Sequence, residues 1–238
     1  TLTALEQAEQ AIERARTFTG TRNGDWLPFS YVFADGVERV LVPVGCFRMG
    51  SNNGDDDEQP VHEQCVTEPF WLDKYEVTNA RYGSVGCSDW SSEADQPHNC
   101  VSWLDAQAFC EARGGTLPSE MQWEYAARGV ESWVYPWGDF YYAERVIGED
   151  TQTAPVGSRP AGASWVGAMD MSGNVWEWTH TRYDPYPYEE GDNEYNGGDN
   201  SMRVFRGGSI SFAAYFLRSA NRVSRFRTDL NSRFGFRC

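Results

Sequence analysis

The chain has 238 residues, of which 40% are hydrophobic and 15% aromatic, enough for one large domain with a ring-rich core. Its formal net charge of −15 argues against nucleic-acid binding and against an anionic membrane surface, because phosphate groups require a basic face. No apolar run is long enough to cross a bilayer, so we expect no membrane insertion.

Residues 1–41 form a first segment, with a helix followed by a hairpin. Thr3 and Glu6 have the spacing of a capping box, and apolar residues then recur at helical intervals. Asp35-Gly36, between two β-prone runs, predicts a two-residue hairpin turn. This segment either docks on the domain formed by residues 42–238 or connects it to another partner.

The polar stretch SNNGDDDEQPVHEQ predicts a solvated loop. Its acidic residues do not follow the alternate spacing of an EF-hand, which also needs a terminal Glu. The stretch therefore does not predict an EF-hand loop.

Two helices are marked by their capping residues. Ser102 is the predicted N-cap of the first, and Gly114 lies just beyond its end. Ser119 and Gln122 form a capping box for the second, which Gly129 ends. The rest of the chain after Gly129 predicts loops and short strands, and the mixture indicates an α+β domain.

Six cysteines are present, and none forms a CxxC pair, which weakens a zinc or thioredoxin-like interpretation. The even number is compatible with three disulfides, although spacing alone does not fix their connectivity. Disulfides would favour an extracellular or cell-surface location, whereas free buried thiols would indicate a reducing compartment.

The C-terminal segment is basic within an acidic chain. From Arg203 onward there are eight arginines and one acidic residue, Asp229. The arginines either pair with buried carboxylates elsewhere in the chain or form an anion-attracting surface. They are Arg203, Arg206, Arg218, Arg222, Arg225, Arg227, Arg233 and Arg237.

Several motifs occur in a fixed order: GGTLPSEMQWEYAARG, YPWGD, DMSGNVWEWT, RVFRGGS, RSANR and GFRC. Together with the upstream segments FRMGS and FWLDKYEVTNARY, they resemble the formylglycine-generating enzyme (sulfatase-modifying factor) superfamily over residues 42–238. The resemblance implies a C-type-lectin-like α+β fold with low regular secondary structure.

The resemblance also implies a structural calcium site in the DMSGNVWEW turn. Its ligands would be the side chains of Asp170 and Glu177 and the backbone carbonyls of Gly173 and Val175, an all-oxygen set suited to a hard cation. The alternative is that the two carboxylates pair with arginine. A second family calcium site would fall near Asp150, but its usual Asn is missing here.

One disulfide, Cys110–Cys238, is implied by the same resemblance. By elimination and by proximity in the sequence, Cys46–Cys65 and Cys87–Cys100 are the next predicted pairs. Closing the long loop between Cys110 and Cys238 should stabilise the fold by restricting the unfolded chain.

The chain departs from the superfamily at the active site. Copper(I) in the enzyme requires two cysteine thiolates, and the matching positions here are Phe212 and Leu217, so we expect no copper. Arg233 replaces a family Asn, while Ser209 and Trp176 match. His62, His98 and His180 are scattered and form no HExxH motif. The pattern leans away from an enzyme without excluding one.

The residues around RSANR resemble the variable segment of proteins encoded by diversity-generating retroelements. Phe, Tyr and Arg at such positions are typical of binding hot spots, so we predict a non-catalytic domain with a protein ligand. The alternatives are an enzyme of this superfamily with altered, copper-independent chemistry, or an accessory domain; the oligomeric state stays open. The predicted ligand-binding residues are Ile210, Ser211, Phe212, Ala213, Tyr215, Phe216, Val223, Arg225, Phe226, Arg227, Asn231 and Arg233.

Overall fold

The computed structural model describes residues 2–188 and 201–238. Its helices are α1 (Ala4–Arg16), α2 (Asn79–Tyr82), α3 (Trp103–Ala112) and α4 (Glu120–Arg128). Its strands are β1 (Ser30–Val32), β2 (Glu38–Val42), β3 (Gly45–Met49), β4 (His62–Val66), β5 (Phe70–Asp73), β6 (Trp176–Arg182), β7 (Met202–Arg206), β8 (Arg222–Phe226) and β9 (Phe234–Gly235). Long stretches between these elements are turns and short 3-10 helices, as expected of a fold with low regular secondary structure.

Helix α1 is part of the domain core. Its capping box is formed, with Glu6 N donating to Thr3 Oγ1 and Thr3 N donating to Glu6 Oε2. Ala11 and Ala15 are buried in the same cluster as Val40 of β2. The predicted boundary between residues 41 and 42 lies inside β2, so the first segment docks on the domain and shares its core.

The hairpin between β1 and β2 forms with a longer turn than predicted. Phe33 N donates to Val37 O, and Gly36 N donates to Phe33 O, which leaves three residues in the turn instead of two. Gly36 has φ +74°, the left-handed conformation that closes a three-residue hairpin turn. The two-residue prediction was therefore wrong, because Phe33 rather than Ala34 pairs with Val37 and Ala34 becomes a third turn residue.

Helices α3 and α4 begin and end where their capping residues predict. Ser102 Oγ accepts a hydrogen bond from Asp105 N, and Ser119 forms a complete capping box with Gln122. Gly129 ends α4 with a positive φ. Both helices bury tryptophan against the sheet that carries the C-terminal segment: Trp103 donates to Thr179 O at 2.8 Å, and Trp123 is fully buried.

Three sheets surround these helices. Strand β2 pairs with β1 and β5, and β3 pairs with β4. The third sheet has the order β8-β7-β6-β9, in which only β6 and β9 are parallel. This sheet positions the C-terminal segment. Strand β8 lies at one edge of the sheet, and the loop that follows β8 leads directly into β9 at the other edge.

The structure contains the three predicted disulfides. Cys46 and Cys65 face each other across β3 and β4, and Cys87 pairs with Cys100. Cys110 of α3 pairs with Cys238, with a Cα–Cα distance of 5.5 Å, and so ties the C-terminal residue to a central helix. In the part of the chain that the structure describes, no helix combines the length and apolarity needed to cross a bilayer.

Candidate ligand-binding groove

An open groove of about 190 Å³ lies beside β8 and β9. A short 3-10 helix, Ala214–Leu217, forms one side, and the loop between β8 and β9 forms the other. We refer to this feature as the groove, and define it by its lining residues: Trp176, Phe212, Phe216, Val223, Arg225, Asn231, Arg233 and Phe234.

Aromatic rings stack edge-to-face along one wall of the groove. The Phe212 ring lies 5.7 Å from that of Trp176 and 5.5 Å from that of Phe216. Tyr215 continues the row, 5.4 Å from Phe216, and its hydroxyl donates to Asp55 Oδ1 at 2.8 Å. Phe216 and Tyr215 are about 40% exposed, so the row extends from the interior to the surface.

Eleven of the twelve predicted ligand-binding residues reach the surface at least in part, and six of them line the groove. Ile210 is the exception, because it is only 2% exposed. Its backbone N–H donates to Asn174 O, which draws the residue against the buried DMSGNVWEW turn. Ile210 thus lies below the surface of the groove, and its contact with a ligand stays a prediction.

The surface next to the groove includes two residues that the sequence analysis missed. Met202 faces Phe226 across β7 and β8, and both side chains are exposed. Leu230 is 62% exposed in the loop between β8 and β9. Leu230 could have been predicted to be exposed, because it lies in the sequence between predicted surface residues. Met202 could not, because its exposure beside Phe226 follows from the strand register.

The loop between β8 and β9 is tied to the core by backbone hydrogen bonds. Trp103 N donates to Arg227 O at 3.1 Å, Cys100 N donates to Asn231 O at 3.2 Å, and Trp176 N donates to Arg233 O at 2.8 Å. Within the loop, Asp229 and Phe226 exchange two further bonds. The loop side chains are therefore displayed on a fixed backbone.

Four arginines of the C-terminal segment are buried and paired with glutamates from distant parts of the chain. Arg222 binds Glu120 through Nε at 2.8 Å and Nη2 at 2.9 Å. Arg206 pairs with Glu124 and with Glu120. We call the four the framework arginines: Arg206, Arg218, Arg222 and Arg237.

Arg218 shows that the polar stretch SNNGDDDEQPVHEQ is not simply a solvated loop. Its guanidinium donates to both carboxylate oxygens of Glu58, at 2.8 and 2.7 Å, and Glu58 is fully buried. Asn221 Nδ2 donates to the same carboxylate. The expectation of a solvated loop was wrong at Glu58, because this carboxylate neutralises a cation of the C-terminal segment.

Three other arginines form no ion pair with any described residue. They are Arg225, Arg227 and Arg233, which we call the surface arginines. Arg225 donates only to Ser224 O, at 2.7 Å. The Nε atoms of Arg227 and Arg233 are shielded from solvent without a hydrogen-bond partner among the described residues. The basic segment thus divides into paired and unpaired cations.

The turn predicted to bind calcium is buried and rich in carboxylates. Asp170 Oδ2 accepts from Gly157 N at 2.6 Å, and its Oδ1 has no partner within residues 2–188 and 201–238. Burial raises the pKa of Asp170 to about 6, against the opposing effects of Gly157 and Arg237. Burial and the charges of Asp170 and Glu177 raise the pKa of Glu76 well above its usual value.

Glu177 is largely occupied by other donors. Arg237 donates to both of its carboxylate oxygens at 2.6 Å, and Trp123 Nε1 donates to Oε2 at 2.9 Å. Arginine pairing therefore neutralises the buried carboxylate of Glu177 but not that of Asp170. Across the described residues, no group of three or more His, Cys, Asp and Glu side chains is arranged to hold a metal ion, so calcium here would depend on backbone carbonyls.

The two positions where copper-binding cysteines would lie carry packed apolar side chains. Leu217 is fully buried and clusters with Tyr135 and Val146. Phe212 packs on Trp176 in the groove wall. Ser209 is also buried, and its hydroxyl donates only to Ile210 O, at 3.3 Å. The hydrocarbon side chains of Phe212 and Leu217 offer no soft ligand for copper(I).

Taken together, the order of the elements, the sparse regular structure and the C-terminal groove define a C-type-lectin-like α+β domain. The family model of the sulfatase-modifying factor enzyme 1-like domain matches residues 32–238. The chain therefore belongs to this family.

Named relatives differ in what they do. Hercynine oxygenase of Mycobacterium tuberculosis is 38% identical over 161 residues, which are 61% of this chain and 36% of that protein. The chain thus corresponds to little more than a third of that enzyme. The inactive C-alpha-formylglycine-generating enzyme 2 of Bos taurus is 27% identical and aligns over 91% of each chain.

Among solved structures, variable protein 1 of Treponema denticola has a TM-score of 0.74 to this chain. The match covers 89% of this chain and 98% of that one, with 21% sequence identity. At that identity the match shows the shared fold.

Proposed function

We propose that the chain is a non-catalytic ligand-binding domain whose ligand contacts the groove and the exposed residues beside it. The observation that carries this proposal is the combination, in one concave site, of a row of aromatic rings with arginines that form no ion pair with any described residue. Aromatic residues and arginine are the types enriched at binding hot spots. The ligand is a protein, and three disulfides favour an extracellular or cell-surface setting.

The fixed backbone of the loop supports binding without a large ordering cost. Arg227, Asn231 and Arg233 each anchor the loop to the core through their carbonyl oxygens. A ligand therefore meets side chains that are already positioned, and less conformational entropy is lost on association.

We propose a structural calcium ion at the buried turn. Asp170 Oδ1 and the carbonyls of Gly173 and Val175 would hold it, with Glu177 contributing only the acceptor capacity that Arg237 leaves. The support is an excess of buried charge, since Asp170, Glu177 and Glu76 face one guanidinium. Bound calcium would supply the missing positive charge and rigidify the turn behind the groove.

Hypervariability of the groove residues is a further part of the proposal. The exposed and half-buried positions lie on both sides of one continuous buried run, 217–222, which contains Arg218 and Arg222, so they can change without disturbing the core. The coding locus decides this point. A reverse transcriptase gene and a near-copy of the segment beside the gene would support diversification, and their absence would contradict it.

The rival function is an enzyme with altered, copper-independent chemistry, favoured by the 38% identity to an oxygenase. Stoichiometric redox metal in the purified protein, or turnover of a small-molecule or peptide substrate, would support the rival. Metal analysis that finds calcium without copper or iron would support the binding domain.

The binding proposal is tested by selecting displayed random peptides on the wild-type protein. Phe226→Ala and Tyr215→Ala should each weaken binding of a selected peptide at least about tenfold, as expected of hot-spot side chains. The control Phe140→Ala removes an exposed ring outside the groove and should leave the affinity unchanged. Peptides that bind all variants equally well would contradict the proposal.

A further inference from the structure

The groove combines two chemical features that together restrict its ligand. Phe212, Phe216 and Phe234 supply apolar walls, while Arg225 and Arg233 supply guanidinium groups. An apolar side chain alone would leave the guanidinium donors unsatisfied, and a small inorganic anion would leave the rings in water. The ligand should therefore carry an apolar group and an anion close together.

The arginines of the groove are available for such an anion. Arg225 uses one donor on Ser224 O, and its remaining donors have no partner among the described residues. Arg233 Nε is shielded from solvent and unpartnered. A guanidinium with donors left over binds a carboxylate through short, charge-assisted hydrogen bonds, so an acceptor that enters the groove meets suitable partners there.

Asn231 completes the polar side of the groove. Its Oδ1 accepts from Arg233 N at 2.9 Å, which fixes the side chain and leaves its Nδ2 as a donor. Two guanidinium groups and an amide then line the same small cavity. Carboxylates bind this donor set through short, charge-assisted hydrogen bonds.

The volume of the groove limits the size of the group that it can hold. At about 190 Å³ it is smaller than the cavities of about 300–1,000 Å³ that enclose drug-sized ligands. It therefore accommodates one or two side chains of a larger partner. This favours a peptide segment of a protein over a free metabolite.

The charge of the whole chain selects between anionic partners. A net charge of −15 repels an extended polyanion, whose many phosphates would all interact with the field of the acidic chain. A single carboxylate is recognised at contact distance, where screening beyond about 8 Å removes most of the repulsion. The overall negative charge therefore disfavours nucleic acid as the ligand and favours a peptide with few charges.

We infer that the groove recognises a protein segment in which Asp or Glu lies next to an aromatic or branched aliphatic residue. The carboxylate contacts Arg225 and Arg233, and the apolar side chain packs against Phe212 and Phe216. The inference rests on the proposed binding function and specifies the chemistry of its ligand.

Random seven-residue peptides displayed on phage and selected on the wild-type protein provide the test. We expect the selected sequences to carry Asp or Glu beside an apolar residue. One selected peptide and its analogue with Asn or Gln in place of the acid are then compared by fluorescence anisotropy. The amide analogue should bind at least about tenfold more weakly, because a charge-assisted contact is lost.

Charge-matched variants locate the contact. Arg225→Gln/Arg233→Gln should weaken the acidic peptide at least about tenfold and should leave its amide analogue nearly unaffected. Arg22→Gln/Arg48→Gln removes two exposed arginines outside the groove and should change the affinity less than about twofold. Melting temperatures of both double variants verify that they fold.

The possible outcomes separate the inference from the function on which it rests. Neutral peptides that depend on Phe216 and Phe226 but not on Arg225 and Arg233 would overturn the acidic ligand and leave the binding domain intact. Peptides independent of every groove residue would overturn both. A single-stranded DNA oligonucleotide that bound more tightly than any peptide, through the same arginines, would overturn the choice of a protein partner.

Discussion

Arg222 and Arg225 lie three residues apart on β8, yet their surroundings are opposite. Arg222 is buried, binds Glu120 and packs over the rings of Tyr183 and Tyr186 at 4.7 and 4.1 Å. Arg225 is exposed in the groove, and its side chain hydrogen-bonds, among the described residues, to the carbonyl of Ser224. Alternation along the strand separates them, because successive side chains point to opposite faces.

The comparison extends to the whole basic segment. The framework arginines bind Glu58, Glu120, Glu124 and Glu177, and so cross-link the C-terminal segment to three distant parts of the chain. The surface arginines form no ion pair with any described residue, and the backbones of Arg227 and Arg233 are tied to the core. Under the proposed function, stability and binding would be carried by different members of one residue type, which would allow the surface to change while the fold persists.

The largest predicted effect is on the framework. Arg222→Gln leaves the buried carboxylate of Glu120 with fewer donors, and should lower the free energy of unfolding by about 3–5 kcal/mol. Arg225→Gln should change it by less than about 0.5 kcal/mol. Urea unfolding of the two variants measures the difference. Similar losses of unfolding free energy in both would contradict the division into framework and surface arginines.

Removal of the Cys110–Cys238 disulfide should rank next. The bond closes a sequence separation of 128 residues, and Cys110→Ala/Cys238→Ala should destabilise the fold by about 2–5 kcal/mol. Part of this loss would come from release of β9, which lies beside the groove. Unfolding in denaturant measures this loss of stability. As the control, Cys46→Ala/Cys65→Ala removes the disulfide between β3 and β4 and should destabilise the fold less, because that bond closes a shorter loop.

Calcium should stabilise the scaffold by a smaller amount. At a free concentration 100 times its dissociation constant, the gain is about 2.7 kcal/mol. Chelation should lower the melting temperature accordingly, and Asp170→Asn should make the protein insensitive to the chelator. A wild-type melting temperature that does not respond to calcium or chelator would remove the ion from the account.

Acid should weaken the framework selectively. Burial would raise the pKa of Glu58 and of Glu120, but Arg218, Arg222 and Arg206 outweigh it and hold both pKa values below their usual range. These carboxylates therefore stabilise the fold above the ordinary glutamate pKa of about 4.5, and that contribution is lost as pH falls through the lower folded values. The free energy of unfolding should decline below about pH 4.5; a constant value down to pH 3 would contradict this.

The smallest effect on stability is expected at the ligand surface. Phe226 is 44% exposed, and Phe226→Ala should change the free energy of unfolding by less than about 0.5 kcal/mol. Phe205→Ala, which removes a fully buried ring of the same sheet, should cost about 3–5 kcal/mol. Equal losses in thermal unfolding would place Phe226 in the core.

Local signals in the sequence were sufficient for much of the fold. Ser102, Ser119 and Gly129 mark helix ends through their own side chains and backbone freedom, so the neighbouring residues decide the outcome. The motif order identified the family and the Cys110–Cys238 pair. The hairpin turn was missed by one residue, because strand pairing rather than Asp35-Gly36 fixed its length.

The division of the arginines could not be predicted in the same way. Glu58 is 160 residues from Arg218 in sequence, and nothing in its polar surroundings indicates burial. Ile210 and Phe212 lie two residues apart in an irregular segment, where no periodicity separates the buried side chain from the half-buried one. Long-range packing decided both cases.

The central claim is that this site binds a ligand without the metal-thiolate chemistry of its superfamily, because Phe212 and Leu217 are hydrocarbons. The most direct measurement is mass spectrometry of a cysteine-containing peptide after incubation with the purified protein, copper(I) and oxygen. The account predicts that the thiol is recovered unchanged and that no copper is retained. Catalytic conversion of the cysteine to an aldehyde would contradict it.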